Sequence, residues 1–184
     1  MTVSTRSCLS VGGCEYLGSD EGSAFAIGLD GLRAAVRDAD GRGVPTALQK
    51  ALAEYAGATV QELARRLAAE PFPKAPVAAL SAIVCRCWLS GDEAASEVVR
   101  TALDHLVDGV RAARDRAKLT GDWSAALTGG VFRGFPEFAE ALRTRIVAEL
   151  GAHRLPTIVD DPVGIVLAAL RCHQDRLPES LAER

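Results

Sequence analysis

Apolar residues recur three and four positions apart through most of the chain, a spacing that predicts a helix-rich protein. The first such segment predicts a helix over residues 24–38, which the glycine-containing residues 40–43 end. Thr46 then opens a second helix that Gly57 closes, and Thr59 caps a third. Glycines and polar cap residues therefore bound the first three predicted helices.

Two further helical segments follow a break at residues 71–73, which are Pro-Phe-Pro. Residues 76–89 are apolar nearly all round, so we expect this helix to lie at the centre of the protein. Residues 93–118 carry apolar side chains on one face and charged side chains on the other. This pattern is typical of an amphipathic helix whose charged face lies in solvent, with docking of a partner as the alternative.

Two short segments in the last third of the chain predict strands. Residues 124–128 are followed by two glycines, and residues 155–159 are followed by an Asp-Asp-Pro turn. A predicted helix over residues 136–150 joins them, and a last helix is expected over residues 162–171. Two strands joined by a helix are the order of a parallel βαβ unit. The pattern therefore predicts a helix-rich α/β fold in a single domain.

The composition of the 184 residues narrows the class of protein. With 48% hydrophobic and 24% charged residues, the chain has the composition of one soluble globular domain. The net charge of -3 supplies no basic footprint, so we expect no nucleic-acid partner. No apolar stretch reaches membrane length and the first residues lack a signal-peptide pattern, which predicts a cytoplasmic protein with no membrane partner.

The five cysteines predict neither disulfides nor a metal site. An odd number without a secretory signal argues against a disulfide framework. Cys85 and Cys87 fall two positions apart in the predicted apolar helix, without the spacing or the second ligand pair of a zinc site. We therefore expect these two thiols in the core.

The acidic, glycine-containing loop that begins at Gly18 runs straight into the first long helix and carries the first candidate chemistry. Asp20 is short enough to bind ligand hydroxyls, and Glu21 can do the same. Alternatively, Ser19 and Asp20 cap the helix, and Glu21 lies at the positive end of its dipole. The residues themselves leave both roles open.

A second candidate is the turn Thr128-Gly129-Gly130, which follows the first predicted strand. Its glycines let the backbone approach a flat or anionic ligand, because no Cβ intervenes. The turn has neither the G-x-G-x-x-G of a dinucleotide fold nor the lysine of a P-loop, so an ordinary tight turn is the alternative. The three histidines have no visible serine or cysteine partner, which gives a hydrolytic triad little support.

Taken in order, these segments resemble the N-acetylglucosamine kinase-like proteins, the BadF-type ATPases. They include the loop Asp20-Glu21-Gly22-Ser23 and the turn Leu127-Thr128-Gly129-Gly130. The similarity extends over nearly the whole chain. The matching segments are residues 12–13, 20–25, 27–28, 32–35, 40–48, 127–132 and 161–168.

The resemblance implies the carboxyl-terminal one of two ribonuclease-H-like lobes, as in the actin and hexokinase superfamily, where the lobes close on ATP and substrate. It implies that Thr128, Gly129 and Gly130 bind the adenosine of ATP. Asp20, with Glu21 and Gly13 beside it, would hold the hydroxyls of N-acetylglucosamine or glucosamine. The kinases of this family transfer the γ-phosphoryl group of ATP to the sugar 6-hydroxyl with Mg²⁺.

Departures from the family pattern limit the expected activity. The Asp-Gly-Gly-Gly-Thr loop, the Gly-Thr-Gly-Ser loop and the catalytic Asp of these kinases have no counterpart, and Cys14-Glu15 replaces a Trp-Gly pair. Ser19 stands where the family has a glycine before its Asp. We therefore expect a truncated lobe with a helical insertion over residues 45–119 and a short strand near residues 9–13. This lobe is expected to be inactive without a complementary N-terminal lobe.

Two other functions fit less of the sequence. One is a degenerate BadF-type module that binds nucleotide or protein without catalysis. The other is the activator ATPase of a dehydratase, which needs iron–sulfur ligands at a dimer interface, whereas Cys85 and Cys87 are expected in a buried helix. Because the truncated fold lacks the earlier strands, a homodimer that covers the exposed sheet edge is expected.

Overall fold

The structure is a computed structural model, and it describes residues 9–159 and 163. This part of the chain is a helix-rich α/β fold, as predicted, in which one cluster of buried apolar side chains links α2 through α9 with the first strand. The elements in chain order are α1 (Glu15–Gly18), α2 (Ala24–Ala39), α3 (Ala47–Ala56), α4 (Val60–Ala69), α5 (Lys74–Ala79), α6 (Ser81–Leu89), α7 (Glu93–Arg116), β1 (Ala126–Leu127), α8 (Gly130–Gly134), α9 (Pro136–Leu150) and β2 (Thr157–Ile158).

The predicted helix ends are close to the observed ones because cap residues set them. Thr46 Oγ1 accepts a hydrogen bond from the Leu48 amide, and Thr59 Oγ1 accepts one from the Glu62 amide. Gly57 ends α3 in the left-handed conformation, at φ 58°. The predicted last helix, over residues 162–171, lies outside the described residues apart from residue 163.

Two helix predictions are corrected by the structure. The cap of α2 is Ser23, whose Oγ accepts a hydrogen bond from the Ala26 amide at 3.2 Å, and not Ser19 or Asp20. The apolar segment predicted as one helix forms α5 and α6, which meet at the buried Leu80. The Leu80 amide bonds to the Val77 carbonyl only three residues earlier, and this tighter turn separates the two helices.

The two predicted strands form a parallel pair, but each is only two residues long. Ala126 lies opposite Thr157, and Leu127 lies opposite Ile158. The predicted short strand near residues 9–13 is wrong, because none of these residues is in a strand. Gly12 and Gly13 have φ angles of 70° and 71°, which take the backbone out of the extended region.

Helix α2 is surrounded by other helices and contacts α3, α4, α5, α6 and α7. Two glycines allow the closest of these contacts. A Cβ on Gly28 would lie 2.1 Å from the Val77 carbonyl oxygen, and one on Gly31 would lie 2.2 Å from Val84 Cγ2. Because neither glycine has a side chain, α2 packs directly on α5 and α6. The expectation that residues 76–89 lie at the centre is met by the buried Val77, Leu80, Val84 and Cys85, whereas Arg86 is exposed.

The ends of three helices meet where two carboxylates flank Thr46. Asp38, near the end of α2, accepts a hydrogen bond from the Thr46 amide at 3.0 Å. Asp92, the cap of α7, accepts one from the Ala95 amide at 2.8 Å, and it also accepts the Ala47 amide of α3 at 2.7 Å. The Thr46 hydroxyl donates to the same Asp92 carboxylate. One side chain therefore caps α7 and fixes the start of α3.

The long helix α7 is held against α9 by ion pairs on its charged face. Arg145 of α9 lies 2.7 Å from Asp104 of α7, and Arg111 of α7 lies 3.5 Å from Glu149 of α9. The charged face of α7, predicted to lie in solvent, is therefore partly engaged with another helix. Within residues 9–159 and 163, no helix has both the length and the apolar character needed to cross a membrane.

Gly28→Ala is expected to destabilise the fold by at least about 2 kcal/mol, because the new methyl group overlaps the Val77 carbonyl and must push α2 and α5 apart. Urea denaturation measures the free energy of unfolding. Gly109→Ala on α7 is the matched control, since a Cβ there meets nothing within 4 Å. The control should gain up to about 1 kcal/mol from helix propensity. Equal stability of the two variants would contradict the close packing.

Asp92→Ala is expected to cost about 2 kcal/mol, since it removes acceptors at two helix starts worth about 1 kcal/mol each. Burial raises the pKa of Asp92, but hydrogen bonds from the Ala95 and Ala47 amides and the Thr46 hydroxyl leave it below its ordinary value. The stabilisation is therefore complete above the unfolded pKa of about 3.9 and is lost as the pH falls through the lower folded pKa.

Thermal unfolding near neutral pH and at about pH 3 measures this dependence, with unfolded carboxyls titrating near pH 4. Asp92→Asn should lose less stability on acidification than the wild type does. Asp108→Asn, which alters an exposed ion pair with Arg111, is the control and should keep the wild-type pH dependence. An unchanged pH dependence in Asp92→Asn would exclude this role for the carboxylate.

Candidate functional site

The loop before α2, residues 12–23, is closed by hydrogen bonds to Ser19. The Gly13 amide donates to the Ser19 carbonyl at 2.9 Å, and the Cys14 amide donates to Ser19 Oγ at 3.1 Å. Glu15 begins the short helix α1 at φ 63°, a left-handed conformation that favours glycine. These hydrogen bonds fix the backbone directly before Asp20. Ser19 therefore stabilises the loop and is not the cap of α2.

The loop is anchored to the protein body on two sides. The Tyr16 ring packs edge-on against Phe25 and Phe72, with centroid distances of 5.0 and 5.6 Å. On the other side Gly22 lies against α7, where a Cβ would come within 2.5 Å of Leu106 Cγ. The loop thus has a defined position between α7 and the start of α5.

Asp20 is the loop residue with an unsatisfied polar atom. Its Oδ2 is buried, and no donor within residues 9–159 and 163 lies at hydrogen-bond distance. Lys74 Nζ lies 3.9 Å from this oxygen, close enough for electrostatic attraction but too far for a hydrogen bond. A buried carboxylate oxygen without a donor costs free energy, and a hydroxyl or amine of a ligand can supply that donor. This geometry favours a ligand role for Asp20 over a capping role.

Lys74 is the functional candidate that the sequence analysis missed. Its Nζ lies 3.3 Å from Glu15 Oε2 as well as 3.9 Å from Asp20 Oδ2, so one cation lies between two carboxylates. The only signal in the sequence is the position of Lys74 directly after the Pro-Phe-Pro break. Nothing in the sequence connects that break to the loop. Only the packing of α5 beside the loop brings the three side chains together.

The other two loop candidates are accessible from solvent. Glu21 is exposed and forms no hydrogen bond or ion pair within the described part of the chain. Gly13 is also exposed, and its amide is used by Ser19. Glu21 can therefore reach a ligand without losing a partner, whereas the Gly13 amide has to leave the Ser19 carbonyl to bind one.

The turn Thr128-Gly129-Gly130 lies directly after β1 and leads into α8. Gly129 has a φ of 139° and a ψ of 161°, a conformation essentially confined to glycine. Gly130 has no such requirement, and a Cβ there would meet nothing within 4 Å. The buried Leu127 and Val131 hold the turn at either side. The backbone at Gly130 is therefore open to a ligand, while Gly129 is required by the turn itself.

The structure does not join the loop and the turn. The loop contacts α2, α5 and α7, whereas α8 packs on α6 and α9. No hydrogen bond or ion pair between described residues connects Gly13, Asp20 or Glu21 with Thr128, Gly129 or Gly130. A ligand that contacts both the loop and the turn would have to span the distance between them or be held in addition by a second lobe or chain.

The described residues offer no metal centre of their own. Among residues 9–159 and 163, no group of three histidine, cysteine, aspartate or glutamate side chains could hold a metal ion. Cys85 and Cys87 are buried free thiols, as predicted. Burial raises the pKa of Cys85 to about 11 and also raises the pKa of Cys87. Protonated, enclosed thiols do not suit an iron–sulfur cluster at an interface.

Comparison of the sequence with known proteins does not identify a family for this chain. No model of a known protein family matches the chain, and no curated protein sequence matches it.

Asp20→Ala is expected to leave the free energy of unfolding unchanged within about 0.5 kcal/mol or to raise it, because the removed carboxylate has a buried oxygen without a donor. Ser23→Ala is the comparison, since it removes the observed cap of α2 and should cost about 1 kcal/mol. Urea denaturation measures both variants. A loss in Asp20→Ala as large as that in Ser23→Ala would make Asp20 a structural residue.

Proposed function

We propose that this chain is the C-terminal lobe of an ATP-dependent amino-sugar kinase. In this proposal the loop with Asp20, Glu21 and Gly13 binds N-acetylglucosamine or glucosamine, and the turn at Thr128–Gly130 binds the adenosine of ATP. The observation that carries it is the buried Asp20 Oδ2 with no donor in the described part of the chain, because sugar hydroxyls are donors of the required kind.

The turn supports the nucleotide half of the proposal. Gly130 leaves its backbone open on the side where a Cβ would stand, so a flat adenosine can approach without a steric clash. Ligands of parallel sheets bind beyond the carboxyl ends of the strands, and the turn lies at that end of β1. A ribonuclease-H-like lobe, with α3 to α7 as its helical insertion, is part of the proposal and is compatible with the parallel strand pair.

Catalysis is assigned to a second lobe. Phosphoryl transfer depends on positioning and on charge stabilisation, so the phosphates, Mg²⁺ and a base all have to be in place. In the proposal the complementary lobe supplies the phosphate loops and the base, while Mg²⁺ is bound through the ATP phosphates. Leu17 is 86% exposed and Phe72 is 60% exposed beside the loop, which are apolar surfaces that a closing lobe would cover.

The alternative is a degenerate module that binds nucleotide or protein without catalysis. It is favoured because no hydrogen bond or ion pair between described residues connects the loop with the turn. In this alternative the same exposed apolar side chains belong to a homodimer interface or to another protein contact, and Asp20 has no sugar to bind. Binding of nucleotide without sugar separates the two functions.

Calorimetric titration of the whole chain with ATP, glucosamine and N-acetylglucosamine tests the proposal. Asp20→Ala should weaken sugar binding by at least about tenfold, the expected effect of losing a hydrogen bond to a charged group, and should leave ATP binding unchanged. Gly130→Val should weaken ATP binding and leave sugar binding unchanged, because its side chain enters the open space at the turn. Gly109→Ala is the glycine control and should change neither.

The chain alone, mixed with ATP, Mg²⁺ and either sugar, is expected to release no more ADP than a buffer blank. ADP release above the blank would contradict the assignment of catalysis to a second lobe. Absence of both ATP and sugar binding would reject the kinase proposal. ATP binding that persists in Gly130→Val would remove the turn from it.

A further inference from the structure

A groove between α2, α4 and α5 lies outside the sites proposed for the sugar and for ATP. Its volume is about 530 Å³, within the range of pockets that take organic ligands. The lining is almost wholly apolar, and none of Asp20, Thr128, Gly129 and Gly130 belongs to it. The larger side chains of this apolar lining are Phe25, Leu29, Leu32, Val36, Leu67 and Val77.

Among the described residues, three arginines and no carboxylate line this groove, namely Arg33, Arg37 and Arg42. Arg33 is paired with Asp30 at 2.9 Å, and Arg42 is paired with Asp40 at 2.7 Å. Arg37 has no carboxylate at ion-pair distance within residues 9–159 and 163, and its Nη2 donates to the Arg42 backbone carbonyl at 3.3 Å. One positive charge at the groove therefore has no carboxylate partner among the described residues.

The apolar lining runs along α2 from Phe25 to Val36, whereas Arg37 and Arg42 lie at the carboxyl-terminal end of the helix. Phe25 lies in the first turn of the helix and Arg37 in the last. At about 1.5 Å per residue, these two positions are separated by roughly 18 Å along the helix axis. Arg42 follows in the turn after α2, at the same end as Arg37. The groove thus has an elongated apolar floor with a guanidinium group at one end.

A second groove, on the other side of Arg33 and Arg37, has a different distribution of charge. Its volume is about 610 Å³, and its lining includes Glu93 and Glu97 as well as arginines. Arg100 in that lining is paired with Glu97 at 2.5 Å. Charges of both signs lie there together, so that groove has no preference for an anion. Of these two grooves, the α2–α4–α5 groove is the one whose described lining carries arginines and no carboxylate.

We propose that the α2–α4–α5 groove binds a medium- or long-chain alkyl carboxylate, with the alkyl chain on the apolar floor and the carboxylate on Arg37. A planar guanidinium binds a carboxylate through two parallel hydrogen bonds, and Arg42 adds a second cation nearby. Burial of the alkyl chain supplies most of the affinity, and the arginine selects the anionic head group. This site is separate from the proposed nucleotide and sugar positions, so either can fail without the other.

Titration of the whole chain with dodecanoate and with the neutral dodecanol, both below micelle-forming concentrations, tests the proposal. Arg37→Gln should weaken dodecanoate binding about tenfold, since hydrogen bonds to charged groups are the strong ones, and should leave dodecanol binding unchanged. Arg65→Gln is the matched control, because Arg65 is an exposed arginine of α4 that does not line the groove. It should change neither affinity.

Ala68→Trp provides a second variant, which fills the groove from the exposed end of α4 and should abolish binding of both compounds. Circular dichroism during thermal unfolding checks that it folds. Equal dodecanoate affinity in Arg37→Gln and Arg65→Gln would overturn the proposal, and so would binding that survives Ala68→Trp. The proposal would also be overturned if the wild-type chain does not bind dodecanoate but self-associates, and if Ala68→Trp abolishes that self-association. That result would identify a second copy of the chain as the occupant of the groove.

Discussion

The segment before α3 lies between two carboxylates, and the positions of three helices depend on their hydrogen bonds. Asp38 holds the Thr46 amide from the end of α2, while Asp92 holds the Thr46 hydroxyl, the Ala47 amide and the Ala95 amide. Each of these amides would otherwise lack a helical partner. These two side chains therefore connect the ends of α2, α3 and α7 through hydrogen bonds, in addition to the apolar contacts between the helices. The core that these helices share is built on this junction.

Close packing accounts for one glycine in the loop before α2 and for two glycines within α2. Gly22, Gly28 and Gly31 each face another element at a distance that a Cβ could not occupy. Their presence in the chain is thus explained by packing, without a ligand. Gly130 and the Asp20 carboxylate have no such explanation, because one faces open space and the other has an oxygen without a donor. The proposed ligand binding therefore rests on the Asp20 carboxylate and on the turn at Gly130, and not on the number of glycines.

Much of the helical fold could be predicted from local pattern, whereas much of the candidate site could not. Asp20 and Gly130 were identifiable because a short acid in a glycine-containing loop and a glycine pair after a strand are local signals. Lys74 was not, since it is 59 positions from the Glu15 that it contacts. The α2–α4–α5 groove was not predicted either, because its lining comes from three helices and local sequence patterns do not determine how helices lie relative to one another.

The sequence by itself determined the helix-rich α/β class, the caps at Thr46 and Thr59, and the parallel order of the two strands, because each depends on neighbouring residues and their backbone preferences. The tertiary structure decided that Ser23 rather than Asp20 caps α2, that the apolar segment divides at Leu80, and that Asp20 lies beside Lys74. These features depend on which groups are left to pair once the helices have packed. Hydrogen-bond partners distant in the chain compete for the same polar atoms, and that competition is settled only in three dimensions.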